Sequence, residues 1–562
     1  MSNGFNLGDE VYAGYPDAHV FNFRRNSKKE LKLSKVKHLL WGDWIKVTDY
    51  DYQTDPKADI QTAAEQTLVQ NSTAPMVAVR VRGVSGYMHK ADIQKERLLE
   101  IVFVDVGQGD GALLVTPDDK KYVIDAGVGD NMRRYLAWRF AGFKKLLKDF
   151  DGLIITHPDQ DHYLGFQALI DNLDVQADHI WHNGIVEQFK VAASGSQSSD
   201  ASFLLGLRKT SAGQSFLTGL IEDDAALASH LADPNRWIKK STGKPKQYPH
   251  LLNSAQTAKT ANSKRRFANI AMLSTAHGEM HNGKAYLPGF GPNNAPACVI
   301  EVLGPVVEPD SQGASRLRTF ASEPMHKTTD MDAGKTKNGH SILLKLTYKN
   351  TTVLFGGDLN SPAEMFLLQH YTGLSVYEPG AVSDQDTIQA GRPVFGADIA
   401  KSCHHGSADF TDVFLACVNP AATVISSGDE ESHAHPRSDT LGAIGHHGRG
   451  HRSLILSTEL MRSSKEFSKR EDSPWYKAGK LVAQAQAETD PVKKQQLQEE
   501  AEELMEVTRT RNVTSYGAIN FRSDGEKVVM AYMLERDSAS RRWDIYQLES
   551  TNNGPLHYKP KD

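Results

Sequence analysis

Cysteine is nearly missing from this sequence. Cys298, Cys403 and Cys417 are the only three in 562 residues. They are too few for a disulfide framework and lack the paired spacing of a zinc ribbon, so a reducing cytoplasm is the expected setting. Long hydrophobic runs are missing too. No stretch approaches the roughly 20 apolar residues of a membrane helix, and Met1 to Glu10 has no basic start followed by an apolar run. No role for a membrane is expected. Nor does one sign of charge dominate: 64 Lys and Arg face 69 Asp and Glu, a formal net charge of −5. That balance argues against capture of nucleic acid by overall charge, although a local basic groove is invisible in the sum.

What is present is the composition of a folded protein, 39% hydrophobic and 24% charged, at a length that suggests two or three units. The first 95 residues read as a small β-rich unit. His38 to Val47 and Met76 to Gly83 have the alternation and β-branched content of strands. Its closing segment, Arg82-Gly83-Val84-Ser85-Gly86-Tyr87-Met88-His89-Lys90-Ala91-Asp92-Ile93, resembles the end of bacterial SH3-like barrels, which implies a docking module for a protein partner or wall polymer, or a small cap on the main body. From Leu98 the pattern changes to near-continuous apolar strands, Leu99 to Asp105, Lys121 to Asp125 and Gly152 to Thr156. Leu164 to Leu173 then reads as a helix.

Residues 187–295 break the pattern and read as an insertion. Lys239, Lys240, Lys244, Lys246, Lys264, Arg265 and Arg266 make a candidate phosphate-backbone surface there, with Trp237 and Tyr248 for stacking. A solvated charged loop is the alternative. Strands resume at Ala297 to Leu303, Ser341 to Leu346 and Thr352 to Phe355, and the main domain is expected to span 96–463. Residues 464–513, rich in strong helix formers such as Gln495 to Met505, read as a helical arm. In 514–562, two strands about the turn Ser523-Asp524-Gly525 are expected to return to the main sheet.

Thr156-His157-Pro158-Asp159-Gln160-Asp161-His162 places two imidazoles and two carboxylates directly after a buried strand. Charges beside a core are costly unless compensated, and a divalent cation offsets the carboxylates while using neutral imidazoles as ligands. The loop resembles that of the metallo-β-lactamase superfamily, His-x-His-x-Asp-His. The sub-pattern is similar to the hydrolase domain of ComEC-type competence proteins, through Val104-Asp105-Val106-Gly107-Gln108-Gly109-Asp110, Ile124-Asp125-Ala126-Gly127, Phe355-Gly356-Gly357-Asp358, His404-His405-Gly406-Ser407 and His435-Pro436. The resemblance implies an α/β fold, an αββα sandwich, here carrying the N-terminal β unit and helical insertions. It also implies two divalent metal ions. The first would be held by His157, Asp159 and His340, the second by Asp161, His162 and one of His404 or His405, with Asp358 bridging. Asp125 and Asp110 would support ligands from behind, and His435 would contact the scissile group. Asp159 stands where the usual loop has a second histidine, which makes the site harder and sets manganese beside zinc as the metal.

Two metals sharing an oxygen ligand imply hydrolysis by activated water without a protein nucleophile, Asp161 serving both metal and water. The leading expectation is a phosphodiesterase or nuclease. Hydrolysis of a small cyclic nucleotide is the second, and a partner-binding protein with a non-catalytic metal site is the third, since this fold serves many chemistries.

Overall fold

A computed structural model of the chain describes residues 4–140, 149–172, 175–198, 200, 203–428, 433–460, 474–510, 513–535, 538–550 and 554–561. Two large sheets face each other. The first has ten strands in the order Phe267–Met272, Gln176–His182, Asp149–Ile154, Lys121–Ala126, Gly111–Val115, Leu99–Phe103, Ile519–Ser523, Val528–Met533, Trp543–Ser550 and Leu556–Lys559. The second has eight, Glu279–His281, Lys284–Tyr286, Val299–Gly304, Leu343–Tyr348, Thr351–Phe355, Ile399–Lys401, Ala422–Ile425 and Leu454–Ser457. Both are antiparallel in part and parallel in part. Lys121–Ala126 through Phe267–Met272 run parallel in the first, and Thr351–Phe355 through Leu454–Ser457 in the second.

One apolar core lies between the sheets, with Ile101, Phe103, Ile342, Phe355 and Phe521 among its buried members. Helices Asn131–Arg139, Gln160–Ile170 and Gln247–Thr257 bury their apolar faces on the outside of the first sheet. Ser361–Thr372, Asp384–Phe395 and Asp412–Val418 do the same for the second. This is the expected αββα sandwich, and burial on both faces explains why its strands read as unbroken apolar runs.

The N-terminal unit is a seven-stranded antiparallel sheet spanning Glu10 to Gln94. It also contains a helix, Ala63–Thr73, started by Thr62, whose hydroxyl accepts from the Glu65 amide. The strand reading had no place for that helix, because its apolar face is a single buried residue, Val69. Trp41, Leu98, Tyr516 and Trp543 join this unit to the first sheet. At 474–510, helices Pro474–Ala487 and Pro491–Thr510 lie against each other as a hairpin; the start of the expected arm, 464–473, and 511–512 near its end lie outside the described residues. The hairpin about Ser523-Asp524-Gly525 forms, and Ile519–Ser523 pairs with Leu99–Phe103.

Two expectations are corrected. The chain reaches the sandwich again before 295, because Phe267–Met272 is the edge strand of the first sheet. Its burial alternates poorly, as an edge position allows, and the period is weak in the sequence. The helix expected at Leu164 starts at Gln160, so Asp161 and His162 ride on its first turn rather than on a loop.

Gly165 lets that helix lie flat on the sheet: a Cβ there would stand 2.0 Å from the Ala126 carbonyl oxygen. Gly165→Ala is therefore expected to destabilise the protein by about 1–3 kcal/mol or more, the size of an overpacked core contact. Urea unfolding reads this, and an unchanged midpoint would contradict the close approach.

Candidate metal centre

The strand ends deliver the site. In the first sheet, Lys121–Ala126 carries Asp125 and Asp149–Ile154 runs into Thr156 and His157. In the second, Thr351–Phe355 leads to Asp358 and Ile399–Lys401 leads to His404 and His405. Parallel strands thus present their C-terminal ends from both sheets to one place, the usual location of a site in such sheets. Gly109 permits the closure. At φ +100° it has room against the Asp161 carbonyl, where any Cβ would collide, and the Asp110 amide donates to that carbonyl at 3.2 Å.

Asp358 Oδ2 is the centre. His162 Nε2 and His405 Nε2 each lie 3.2 Å from it, and His157 Nε2 and His404 Nε2 each 3.9 Å. His405 Nε2 is also 3.4 Å from Asp161 Oδ2. The buried Nε2 atoms of His157, His162 and His405 have no hydrogen-bond partner, although burying an imidazole nitrogen without one is unfavourable.

Their other nitrogens are fixed from behind. His162 Nδ1 donates to Asp125 Oδ2 at 2.8 Å. His405 Nδ1 lies 3.1 Å from Asp110 Oδ1 and 3.1 Å from the Ser426 carbonyl. His157 Nδ1 faces the Thr156 and Ser341 hydroxyls at 3.1 and 3.3 Å. A carboxylate or hydroxyl behind each ring sets the tautomer that turns an Nε2 lone pair inward, the arrangement found behind metal-ligating histidines. Ser341 Oγ also accepts from the Asp358 amide at 3.0 Å. Asp125, His404 and His405 hold left-handed φ values of 54°, 48° and 54°. Such strain in non-glycine residues persists where the surroundings over-determine it, commonly at functional sites.

Charge agrees with geometry. Burial opposes ionisation of Asp358, yet His162 and His405 hold its carboxyl well below the ordinary range. Burial likewise opposes protonation of His162 and His405, but Asp358, with Asp125 and Asp110 respectively, raises both well above an ordinary imidazole. The carboxylates of Asp110, Asp125, Asp159, Asp161 and Asp358 outnumber the ammonium groups among them, Lys337 and Lys401. Partnerless inward nitrogens within an excess of carboxylate suit divalent cations. The fitting groups are His157, His162 and Asp358 on one side, and Asp161, His162, His405 and Asp358 on the other. His404 stands at the mouth with Asp159, Asp161 and His435, whose ring centroid is 5.6 Å from that of His404.

Several sequence expectations need correction. His340 is not brought to the centre. Its Nε2 is bonded to the Arg318 carbonyl at 2.7 Å, its ring stacks on Phe320 at 4.9 Å, and burial pushes its pKa down to about 4. Arg266 is buried and donates to the carbonyls of Ile170, Asn172 and Val175. Arg265 forms a two-pronged pair with Asp224 at 2.9 Å. Trp237 and Tyr248 are buried in the core, which removes them as stacking platforms. Lys239, Lys240 and Lys264 are exposed, with Lys240 Nζ 2.6 Å from the Gly195 carbonyl.

The sequence reading missed two lysines. Lys401 bonds to Asp110 and to the Gly357 carbonyl, and lies 3.6 Å from Asp358 Oδ1; a lysine ending the buried strand Ile399–Lys401 was its available signal. Lys337 lies 2.5 Å from Asp159 Oδ1 and 3.4 Å from Glu187 Oε1. Nothing in the stretch around it shows a period that would have placed it.

Residues 105–193 match the family described as Metallo-beta-lactamase superfamily. Over that segment the chain is similar to the metallo-β-lactamase superfamily. That match takes in Asp110, Asp125 and the His157 to His162 segment, whereas Asp358 and His405 lie beyond it and are supplied to the same centre by the second sheet. No curated protein matches the chain. Among solved structures, a mutant of the CmlA beta-hydroxylase is 8% identical with a TM-score of 0.28, the match covering 74% of this chain and 62% of that one. The chain thus spans less than two thirds of that protein's length.

His405→Ala should strongly reduce bound metal, whereas His340→Ala should leave metal content unchanged and lower stability by about 1–3 kcal/mol, as loss of a buried hydrogen bond does. Elemental analysis with thermal unfolding checks both. Loss of metal in the His340 variant would return it to the ligand set.

Proposed function

We propose that this protein is a metal-dependent phosphodiesterase acting on nucleic acid. The observation that carries this reading is an oxygen-rich centre, Asp161 and Asp358 with His162 and His405, whose Asp161 side reaches the surface. A donor set with this much carboxylate suits hard cations and phosphoryl oxygens, and Mn²⁺ or Zn²⁺ fits it. Bound divalent cations supply Lewis-acid polarisation of a phosphoryl oxygen and lower the pKa of water.

The chain's own residues do the rest. Asp125 and Asp110 hold the His162 and His405 rings in place. Asp161 is kept ionised against its burial by His405 and His162, so at the mouth it is poised to accept a hydrogen bond from water and orient it. His435, on the same rim, is placed to meet the scissile group.

The insertion adjoins this mouth. Helix Gln247–Thr257 packs on the ligand helix through Tyr163 and Tyr248, ring centroids 4.8 Å apart, and Gln160 donates to Gln247 at 2.8 Å. The turn leading into it carries Lys239, Lys240, Lys244 and Lys246. These lysines, with Lys264, are offered as contacts for flanking phosphates. A small cyclic nucleotide would have no use for them.

Purified protein with Mn²⁺ or Zn²⁺ should cut single-stranded or double-stranded DNA, or RNA, and Asp161→Ala should abolish cleavage with the fold retained. Replacing Lys239, Lys240, Lys244 and Lys264 by Ala should flatten the salt dependence of polymer binding by up to about 0.7–0.9 log units per lost phosphate contact. Cleavage of a chromogenic phosphodiester should be unaffected. Equal salt slopes, with preferential turnover of cyclic dinucleotides, would favour the small-substrate reading instead.

A further inference from the structure

Asp159 begins helix Gln160–Ile170 at the position where aspartate ordinarily caps the first amides, yet its side chain makes no capping bond. Both of its oxygens turn elsewhere. Oδ1 meets Lys337 Nζ at 2.5 Å. Oδ2 accepts from the Asn338 side-chain nitrogen at 2.7 Å, in the orientation of that side chain that also satisfies the Gly334 carbonyl. The same Oδ2 lies 3.6 Å from His157 Nε2. Lys337 is itself fixed: its side chain is only 13% exposed, and Glu187 Oε1 lies 3.4 Å from its ammonium. Short helix Ala333–Gly339, which carries Lys337 and Asn338, is anchored where the Asp332 carboxylate accepts from the Lys335 amide and the Asn360 side chain donates to the Lys335 carbonyl.

The two halves of the centre therefore differ. Around Asp161, His162, His405 and Asp358, the inward nitrogens of both imidazoles point at Asp161 and Asp358, and the nearby ammonium of Lys401 is held by Asp110 and stands 3.6 Å from Oδ1 of Asp358, a carboxylate common to both halves. On the His157 side, the one additional carboxylate already holds a buried cation of the protein's own. A cation taking up Asp159 there must share it with Lys337 and sit beside a like charge in a partly desolvated place, which weakens binding.

We propose that Lys337 is a positioning residue that makes the two metal positions unequal, by competing for Asp159 and leaving the His157 side the weaker, exchangeable position. This rests on the reading of the cluster as a metal centre. Loading would proceed first at Asp161, His162, His405 and Asp358. The second ion would be retained when a further anionic ligand, such as the substrate's phosphodiester, offsets the Lys337 charge.

The test is metal binding to the full-length, metal-free protein, with Zn²⁺ alone and Mn²⁺ alone, followed by chelator competition and by the signal of free Mn²⁺. Two separated binding steps are expected for the parent. Lys337→Met and Lys337→Gln should tighten the second step about tenfold or more while leaving the first nearly unchanged, as removal of one nearby like charge predicts. Lys337→Arg should keep the parent's separation. The Gln variant retains hydrogen bonding to Asp159 if the Met variant folds poorly, and circular dichroism verifies both. An unchanged or weaker second step in the neutral variants, or an equal rise in both steps, overturns the proposal. Absence of any binding by the parent overturns the metal-centre reading itself, a result distinct from either.

Discussion

Everything at this site depends on one carboxylate oxygen. Asp358 Oδ2 gathers the inward nitrogens of His157, His162, His404 and His405 within 3.9 Å, and it can do so only because two sheets packed face to face bring their strand ends to one place. His157 and His162 come from the first sheet, Asp358 and His405 from the second. The apolar core between the sheets, where Phe103 and Phe355 lie 6.0 Å apart, is what holds the two halves in register. Packing thus sets the geometry, and geometry sets the charge: an imidazole placed against a buried carboxylate stabilises the ionised acid, and the acid in turn favours a positive partner.

A layer behind the ligands gives the centre its direction. Asp125 behind His162, Asp110 behind His405, and the Thr156 and Ser341 hydroxyls behind His157 each occupy one ring nitrogen and leave the other facing inward. Lys401 restrains Asp110 and Lys337 restrains Asp159. Each half of the cluster thus has a fixed ammonium nearby, Lys401 behind His405 and beside the shared Asp358, and Lys337 directly on Asp159. Under the proposed reading, the Lys337 contact to Asp159 would make the ion on the His157 side the exchangeable one.

Much of the fold was legible because local patterns and tertiary demands agreed. Gly152 to Thr156 is apolar enough to be a buried strand and ends directly on His157, and Ser523-Asp524-Gly525 is a turn sequence between two apolar strands that pair as expected. What escaped were features decided by partners distant in sequence. His340 precedes a strand just as a ligand would, but its ring is taken by Phe320 and the Arg318 carbonyl. Arg266 sits in a basic run that reads as surface, yet it is buried against the carbonyls of Ile170, Asn172 and Val175. Lys337 lies in a stretch rich in Gly and Lys without a period, and only the fold brings it to Asp159, 178 positions earlier in the chain.

The central claim is that cations bind against Asp358 and are held by residues from both sheets. Anomalous X-ray diffraction from crystals of the protein loaded with Zn²⁺ or Mn²⁺ tests it most directly. The account predicts a strong peak within about 2.0–2.2 Å of oxygens of Asp161 and Asp358 and of the inward nitrogens of His162 and His405, with a weaker peak toward His157. A cluster without a peak, or metal bound instead in the N-terminal unit, where Asp17, His19 and His38 bring ligand atoms within 4.8 Å of one another, would contradict it.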